Sequence, residues 1–465
     1  MTNRMRHNWG HRGNQTRYYR GKSQPRLAVS SLIVLTCLSM LSFLTMAQAE
    51  VSEDTIQETF YAYRNGVPQV PGIKPGMVIN QNNWEVAKDV MYPEYLDLIK
   101  KGWVEIKVGE TIPFTLPKEY IEATRKYAQQ VKLSPEGYLE NYVAGLAFPE
   151  HPDPNDPQAG LKLAWNFKRG FNWSDNACIC PFYWSYIKGD GTVEKTIKFD
   201  FHFLNFKHRV VHDPRPEVLP NPEGLFRGIH AQVYEPFDLK DTQVLIWQYE
   251  DERKRDDSWL YLGFQRRVRR LSQEQRADSF LGSDAFVDDF EGYEGRVTDM
   301  NWKYLGEKVL LMPMYKHNAM EFKLPDFPIA KNTDEDGYHY IEFGGRANWF
   351  PNITWQLRKV YVLEVTPKDP AYPYSKRVWF QDADQYTNPL SFIYDRKGEL
   401  WKIFLIGKSH PDFHLPENKG IGANIDNSVH IIDVQRDHAT VLRFKGHLVS
   451  QKPEIFTVQN LRQGR

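Results

Sequence analysis

The most regular pattern in the chain is a two-residue alternation that begins near Thr192 and recurs in short runs almost to the C-terminus. Its first run directs four apolar side chains to one side of the chain, namely Ile197, Phe199, Phe201 and Phe203. The intervening residues are mostly polar. This is the period of a β-strand that buries one face, so a sheet is predicted from this point onward.

Later runs rich in β-branched and aromatic residues predict further strands at 226–235, 243–249, 259–262, 265–271, 297–305, 308–314, 359–367, 376–381, 390–394, 400–406, 429–434 and 440–444. Two pairs are predicted to be hairpins, one turning at Gly263-Phe264 and the other at Gly306-Glu307. No helical pattern separates these strands, which favours an antiparallel sheet over βαβ units. So long a sheet must curl or close, because flat open sheets seldom exceed about ten strands.

Helical patterns precede the sheet. Helices are predicted at 84–91, 94–101 and 117–132, and the last has Tyr120 and Tyr127 on an apolar face. Prolines and glycines predict an extended segment over 51–80 and a loop over 148–160. The fold class is therefore α+β. We divide the chain into 1–49, a helical segment at 50–160 and a sheet region at 161–465, with 50–465 forming one structural unit.

The first 49 residues resemble an export signal. Residues 1–26 contain seven arginines and lysines and no acidic residue, and an apolar run at 27–46 leads to Ala47-Gln48-Ala49. This order predicts a secretory signal peptide cleaved after Ala49, and hence a soluble periplasmic protein. The alternative is an uncleaved N-terminal anchor, because the apolar run is long enough to span a bilayer.

Composition narrows the possible ligands. Lysine plus arginine equals aspartate plus glutamate at 59 each, so no excess of positive charge indicates nucleic-acid binding. Aromatic residues make up 14% of the chain. Most of them are explained by a large sheet, and the remainder are candidates for lining an apolar cavity.

Chemical signatures are sparse. Cys178 and Cys180 are the cysteines that remain after the predicted cleavage, and they either form a disulfide in an oxidising compartment or stay free. A metal site on them would need further ligands. His202, His208 and His212, like His410 and His414, are more simply explained as solvated or hydrogen-bonded side chains. The common sequence-local catalytic motifs are absent from the sequence, and we predict no cofactor and no metal.

A cluster of four arginines is the most distinctive polar feature, at Arg266, Arg267, Arg269 and Arg270. One interpretation pairs them with the acidic residues that follow, which are Asp284, Asp288, Asp289, Glu291 and Glu294. The other places some guanidinium groups at the mouth of a cavity, where they would hold a phosphate or carboxylate head group, or else dock a partner protein.

Three motifs carry a family resemblance: Gln265-Arg266-Arg267-Val268-Arg269-Arg270, Val287-Asp288-Asp289-Phe290, and residues 301–308. With them the chain resembles a bacterial family of exported proteins described as outer-membrane-lipoprotein-sorting-like, catalogued as domain of unknown function 1329 and grouped with the LolA-like periplasmic lipid carriers. The resemblance implies a strongly curved, incomplete barrel whose concave face is plugged by helices. It also implies action with an envelope export transporter.

The leading hypothesis is a non-enzymatic periplasmic carrier of a lipid or other hydrophobic molecule. Its predicted ligand contacts are the four arginines together with Phe199, Phe201, Phe203, Tyr120, Tyr127 and Trp302. An alternative is a periplasmic sensor or scaffold whose sheet binds a protein partner. A periplasmic hydrolase or redox enzyme is the weaker alternative.

Overall fold

A computed structural model of the chain describes residues 50–271, 277–316, 338 and 340–463, all of which belong to one compact unit. The helices are α1 (Glu53–Phe60), α2 (Pro93–Lys100), α3 (Lys118–Tyr127), α4 (Ala159–Lys168) and α5 (Val458–Gln463). The strands are β1 (Val78–Ile79), β2 (Ile106–Val108), β3 (Lys132–Leu133), β4 (Leu139–Glu140), β5 (Asn176–Lys188), β6 (Val193–Asn205), β7 (Leu225–Glu235), β8 (Gln243–Tyr249), β9 (Asp257–Leu262), β10 (Arg267–Arg270), β11 (Met300–Met312), β12 (Met314–Tyr315), β13 (Phe343–Gly344), β14 (Phe350–Pro351), β15 (Thr354–Pro367), β16 (Lys376–Asp382), β17 (Leu390–Tyr394), β18 (Leu400–Ser409), β19 (Ile425–Asp433) and β20 (His438–His447).

One 16-stranded sheet dominates the described residues, and it confirms the predicted antiparallel sheet with accompanying helices. Its main path runs β1-β2-β15-β16-β17-β18-β19-β20-β5-β6-β7-β8-β9-β10, while β11 pairs with β15 and β12 with β18. The ladders are antiparallel except for β2–β15 and β12–β18. Within the described part of the chain no ladder joins β10 to β1 or β11, so the sheet is open.

The sheet is a middle layer between two apolar cores. Successive residues of β18 show this, since Phe404 belongs to one buried cluster and Leu405 to the other. Helix α4 covers the Phe404 face, where Phe167 lies 4.7 Å from Trp379 between ring centroids. Helix α2 covers the opposite face, where Tyr95 lies 4.8 Å from Trp355. Because both faces of the sheet are covered, β17 and β19 are buried at every residue rather than at alternate residues.

The helical predictions succeed in part. The predicted helix at 117–132 is present as α3 followed by a 3₁₀ turn, with Tyr120 buried. The prediction that 51–80 is entirely extended was wrong, because Glu53–Phe60 forms α1. Ser52 caps this helix by accepting a hydrogen bond from the Thr55 amide at 3.1 Å, and the proline-rich stretch begins only afterwards. Helix α4 (Ala159–Lys168) crosses the predicted boundary between the helical segment at 50–160 and the sheet region at 161–465.

The second predicted hairpin, at Gly306-Glu307, was also wrong. Residues 300–312 form one continuous strand, β11, paired with β15, and the register shifts between Tyr304 and Gly306. This register shift marks a β-bulge rather than a turn, and Gly306 has φ +120° there. The first hairpin is present as β9 and β10. Strand β5 was not predicted, because Cys-Ile-Cys-Pro interrupts its pattern where its register with β6 shifts between Ile179 and Phe182.

No helix among the described residues is long and apolar enough to cross a bilayer. The predicted signal peptide at 1–49 lies outside the described residues.

A buried ion cluster ties the N-terminal segment to the sheet. Arg358 is fully buried and donates to both carboxylate oxygens of Asp382, at 2.8 and 3.0 Å, and to Asp384 at 3.3 Å. It also donates to the carbonyl oxygen of Ile112 at 2.7 Å. These contacts satisfy the guanidinium, so its removal would leave two carboxylates buried without a cation.

We expect Arg358→Leu to lower the free energy of unfolding by about 3–5 kcal/mol, because breaking a buried pair strands its partners. Chemical denaturation monitored by tryptophan fluorescence measures this. The matched control is Arg215→Leu, whose partner Asp213 is 80% exposed, and it should cost less than about 1 kcal/mol. Equal losses in the two variants would contradict the role given to Arg358.

Candidate functional site

A cavity of about 350 Å³ lies on the face of the sheet that carries Phe201. Its walls come from β5 to β9 and from β18 to β20, and residues 278–294 cover it. We call residues 277–299 the cover segment. The apolar lining includes Trp184, Phe201, Phe203, Ile229, Phe290, Phe404, Val429 and Phe444. The volume falls within the range of about 300–1,000 Å³ typical of small-molecule sites.

Aromatic rings form much of the wall. Phe201 stacks on Phe290 of the cover segment at 6.0 Å between centroids, and Trp184 lies 5.2 Å from Phe280. Phe201 and Phe203 line the cavity, as the alternation in β6 places them on one face. Phe199 is buried on the same face, 4.6 Å from Phe182, but it is not among the lining residues.

The other predicted aromatic contacts lie in the surrounding core. Tyr120 is buried against Phe171, and its hydroxyl donates to the Arg169 carbonyl oxygen at 3.2 Å. Tyr127 is partly buried against the same core. Trp302 packs on Trp379 and donates from Nε1 to the Val297 carbonyl oxygen at 2.9 Å. None of these three residues lines the cavity in the described structure.

The predicted arginine cluster lies away from the cavity. Arg266, Arg267, Arg269 and Arg270 are exposed on or beside the edge strand β10, and none is a lining residue. Arg270 pairs with Asp257 of the neighbouring strand, and Arg269 donates to Gln265 at 2.8 Å. The arginines that do line the cavity are Arg227 and Arg255. Sequence alone gave no reason to select them.

The cover segment is held down by its acidic residues, and their predicted pairing with the β10 arginines was wrong. Asp289 is fully buried, and its carboxylate accepts hydrogen bonds from Arg377 and from the Tyr374 hydroxyl at 2.7 Å each. The same carboxylate accepts a third hydrogen bond from the backbone amide of Phe286 at 2.8 Å. Asp284 lies 2.6 Å from His438 Nδ1. Each carboxylate thus binds a cation or hydroxyl that projects from the sheet, which fixes the segment over the cavity.

A polar end closes the cavity near Glu294. Its carboxylate pairs with Lys168 at 3.0 Å and receives a hydrogen bond from Gln248 Nε2 at 2.7 Å. Gln248 is only 4% exposed, and its Oε1 has no hydrogen-bond partner among the described residues. That oxygen is available to a donor on a ligand.

Glu291, at the same polar end of the cavity, has an unusual backbone conformation and an unusual environment. It has φ +52°, a conformation that non-glycine residues seldom adopt, and its buried Oε1 has no partner among the described residues. Burial, and then the nearby charge of Asp426, raises the pKa of Glu291 to about 7. A cavity-lining residue with a rare backbone conformation and a shifted pKa is typical of a functional site. In the sequence Glu291 was one of five acidic residues and carried no separate signal.

The two cysteines are bonded to each other, and several of the histidines contact other side chains. Cys178 and Cys180 are joined by a disulfide, with their Cα atoms 5.7 Å apart. His208 contacts Glu250 at 2.6 Å and His202 contacts Gln451 at 3.0 Å. Among the described residues, neither the 202, 208 and 212 set nor His410 with Asp412 and His414 forms a metal-ligating cluster.

We expect Glu291→Gln to stabilise the protein at pH 8 and to change it little at pH 4.5. The folded-state pKa of about 7 lies above the ordinary 4.5. The wild-type carboxyl therefore loses stability as the pH rises between these two values, whereas the amide does not titrate. The difference in unfolding free energy should grow across this window by up to about 3 kcal/mol.

Denaturant titrations at several pH values measure this difference. Glu235→Gln, whose side chain is 68% exposed, is the control and should show no such trend. A pH-independent effect of Glu291→Gln would contradict the burial argument.

Comparison with known proteins gives one family. The model of a family described as "Protein of unknown function (DUF1329)" matches residues 78–462. The chain has no match among curated proteins. Among solved structures it is similar to a DUF1329 family protein from Desulfovibrio piger, with 19% identity, coverage of 66% of this chain and 99% of that chain, and a TM-score of 0.44.

Two further structures are similar to the chain. A putative outer membrane lipoprotein-sorting protein domain from Vibrio parahaemolyticus has 19% identity, covers 66% of this chain and 100% of its own, and has a TM-score of 0.43. A LolA superfamily protein from Nitrosomonas europaea has 13% identity, coverages of 62% and 92%, and a TM-score of 0.35. At these TM-scores the likenesses add nothing to the topology described above.

Proposed function

This chain belongs to the DUF1329 family of proteins of unknown function, and we propose that it is a non-enzymatic carrier that binds a lipid or other hydrophobic molecule. The aromatic cavity between the sheet and the cover segment is the observation that carries this proposal. Removing one methylene from water is worth about 0.8 kcal/mol, so sheltering ten of them would supply roughly 8 kcal/mol before the costs of binding.

The proposal includes a curved, incomplete barrel whose concave face holds the ligand. Eight successive strands, from β18 through β20 and β5 to β9, contribute to one cavity. Laid flat, they would span roughly 34 Å, because neighbouring strands are about 4.8 Å apart. Phe404 of β18 and Leu260 of β9 nevertheless line the same small space, which supports curvature. In this arrangement α1, α3, α4 and the cover segment fill the rest of the concave side.

We place the carrier in the periplasm, after cleavage at Ala49, because the first 49 residues have the order of an export signal. Its partners would be the hydrophobic cargo and an envelope export transporter or outer-membrane protein. In this proposal the β10 arginines act outside the cavity, where exposed guanidinium groups suit docking better than ligand burial.

Filling the cavity should weaken binding of an apolar probe. We expect Ala231→Trp, a substitution at a lining residue that is 5% exposed, to weaken binding of a fluorescent fatty acid at least tenfold, because the indole would occupy the space of the aliphatic chain. Fluorescence titration of the purified protein measures this. Val244→Trp, at a partly exposed lining position, is a second variant for the case that Ala231→Trp does not fold.

The matched control is Ala371→Trp, at an exposed turn residue, which should leave probe affinity unchanged. Organic extraction of the purified wild type followed by lipid mass spectrometry gives an independent result. Wild-type protein that is folded, contains no extractable lipid and binds no probe would contradict carriage.

The second candidate is a sensor or scaffold, and the open edge of the sheet favours it. Strand β10 ends the sheet and presents exposed arginines, and the turn before it exposes 75% of Phe264. An unpaired strand edge is a common place for a protein partner to add a strand. A folded protein whose cavity binds neither lipid nor probe would favour this function over carriage.

A further inference from the structure

A row of histidine and cysteine side chains crosses four adjacent strands on the face of the sheet opposite Phe201. In the ladder register, His447 of β20 lies opposite Cys178 of β5, Cys178 opposite His202 of β6, and His202 opposite His230 of β7. The side chains of directly opposed residues lie on the same face of a sheet, with their Cβ atoms about 4.5–5.5 Å apart. Four side chains with metal-ligating atoms therefore form one line.

Cys180 joins this row. One ligand atom from each of Cys178, Cys180 and His202 lies within 4.8 Å of the others, because only Ile179 separates the two cysteines on β5 and the histidine lies on the adjacent strand. The pair of sulfurs is bonded in this structure. When reduced, the same two atoms would be thiolates, which are the preferred ligands of soft metal ions.

In His202 and His447 one ring nitrogen contacts an oxygen of another side chain, and such a contact usually orients a histidine that binds a metal. Gln451 Oε1 lies 3.0 Å from His202 Nδ1, which leaves Nε2 to act as a ligand. Glu417 lies 2.7 Å from His447 Nδ1, and the Nε2 of that ring lies 3.3 Å from the Cys180 carbonyl oxygen. His447 is thus anchored next to Cys180, just outside the group formed by Cys178, Cys180 and His202.

His230 continues the row on β7, beyond the three clustered ligands. It is only 4% exposed, its Nε2 contacts Gln243 at 3.0 Å, and its buried Nδ1 has no partner among the described residues. An unpartnered buried ring nitrogen is costly unless something binds it.

We propose that Cys178, Cys180 and His202 form a redox-gated site for a thiophilic metal ion, Zn(II) or Cu(I), with His447 as the nearby fourth donor. A dithiol reductant gives two electrons and two protons to the disulfide, breaks the S–S bond and is itself oxidised to a disulfide. The metal then displaces the two thiol protons and bonds to both sulfurs and one imidazole nitrogen. A partner disulfide then takes two electrons from the two thiolates and two protons from water, becomes a dithiol and re-forms the Cys178–Cys180 bond, which releases the metal.

Metal titration of the full-length mature protein tests the site. Protein reduced with a phosphine, freed of excess reductant and kept anaerobic should bind about one equivalent of Zn(II) in competition with a chromophoric chelator. Protein with the disulfide intact should bind less than a tenth as much. Co(II) added to the reduced protein should give a sulfur-to-metal charge-transfer band, a readout independent of affinity.

Variants assign the ligands. Cys178→Ser with Cys180→Ser should abolish binding and the Co(II) band, and His202→Gln should weaken binding at least tenfold. His151→Gln, an exposed histidine that contacts Glu307, is the matched control and should bind like the wild type. Thermal unfolding shows which variants fold. Reduced wild type that binds no metal, or binding that survives loss of both cysteines, would overturn the proposal. Neither outcome bears on the cavity, because the two sites lie on opposite faces of the sheet.

Discussion

The cavity depends on how the cover segment is attached to the sheet. Asp289 is fully buried, yet its carboxylate is satisfied by the Arg377 guanidinium and the Tyr374 hydroxyl, both of which rise from the sheet. A buried carboxylate without such partners would cost several kcal/mol, so the segment has few alternative positions. Aromatic contacts add to these anchors, since Phe286 stacks on Tyr374 at 4.8 Å between ring centroids. A cavity can therefore remain beneath it without loosening the cover.

Polar contacts hold the cover segment at its anchors, and apolar residues form most of the cavity wall. The cavity therefore combines aromatic walls with a single polar end. Rings such as Phe201 and Phe290 supply apolar surface with few rotamers, while Glu294 and Gln248 define one polar end. A molecule with an aliphatic part and a small polar part suits such a space. The opposite face carries a separate chemistry of sulfur and imidazole, and the sheet keeps the two apart because its residues alternate between faces.

Much of the sheet could be predicted, because residue alternation reports local burial. Strand β6 and the position of Phe201 and Phe203 followed from the sequence in this way. Strand β5 did not, since Cys180-Pro181 interrupts its pattern, and only pairing with β6 and β20 on both sides makes it a strand. Gly306 has the same sequence signal whether it turns a hairpin or makes a bulge, and the partner strand β15 decides between them.

The candidate site was harder to predict, because its contacts join distant parts of the chain. Asp289 and Arg377 are 88 residues apart, whereas the arginines of β10 are close to the acidic residues in sequence and misleading for that reason. The row of His447, Cys178 and His202 likewise depends on register, which sequence spacing within one strand does not reveal. Proximity along the chain is thus a poor guide to charge pairing in a sheet of this size.

The most direct measurement of the central claim is a crystal structure with a bromine-labelled aliphatic chain, located by anomalous scattering. Our account predicts a bromine peak inside the cavity, between Phe201 and the cover segment. A cavity filled by its own side chains, with bromine only on the outer surface of the protein, would contradict it.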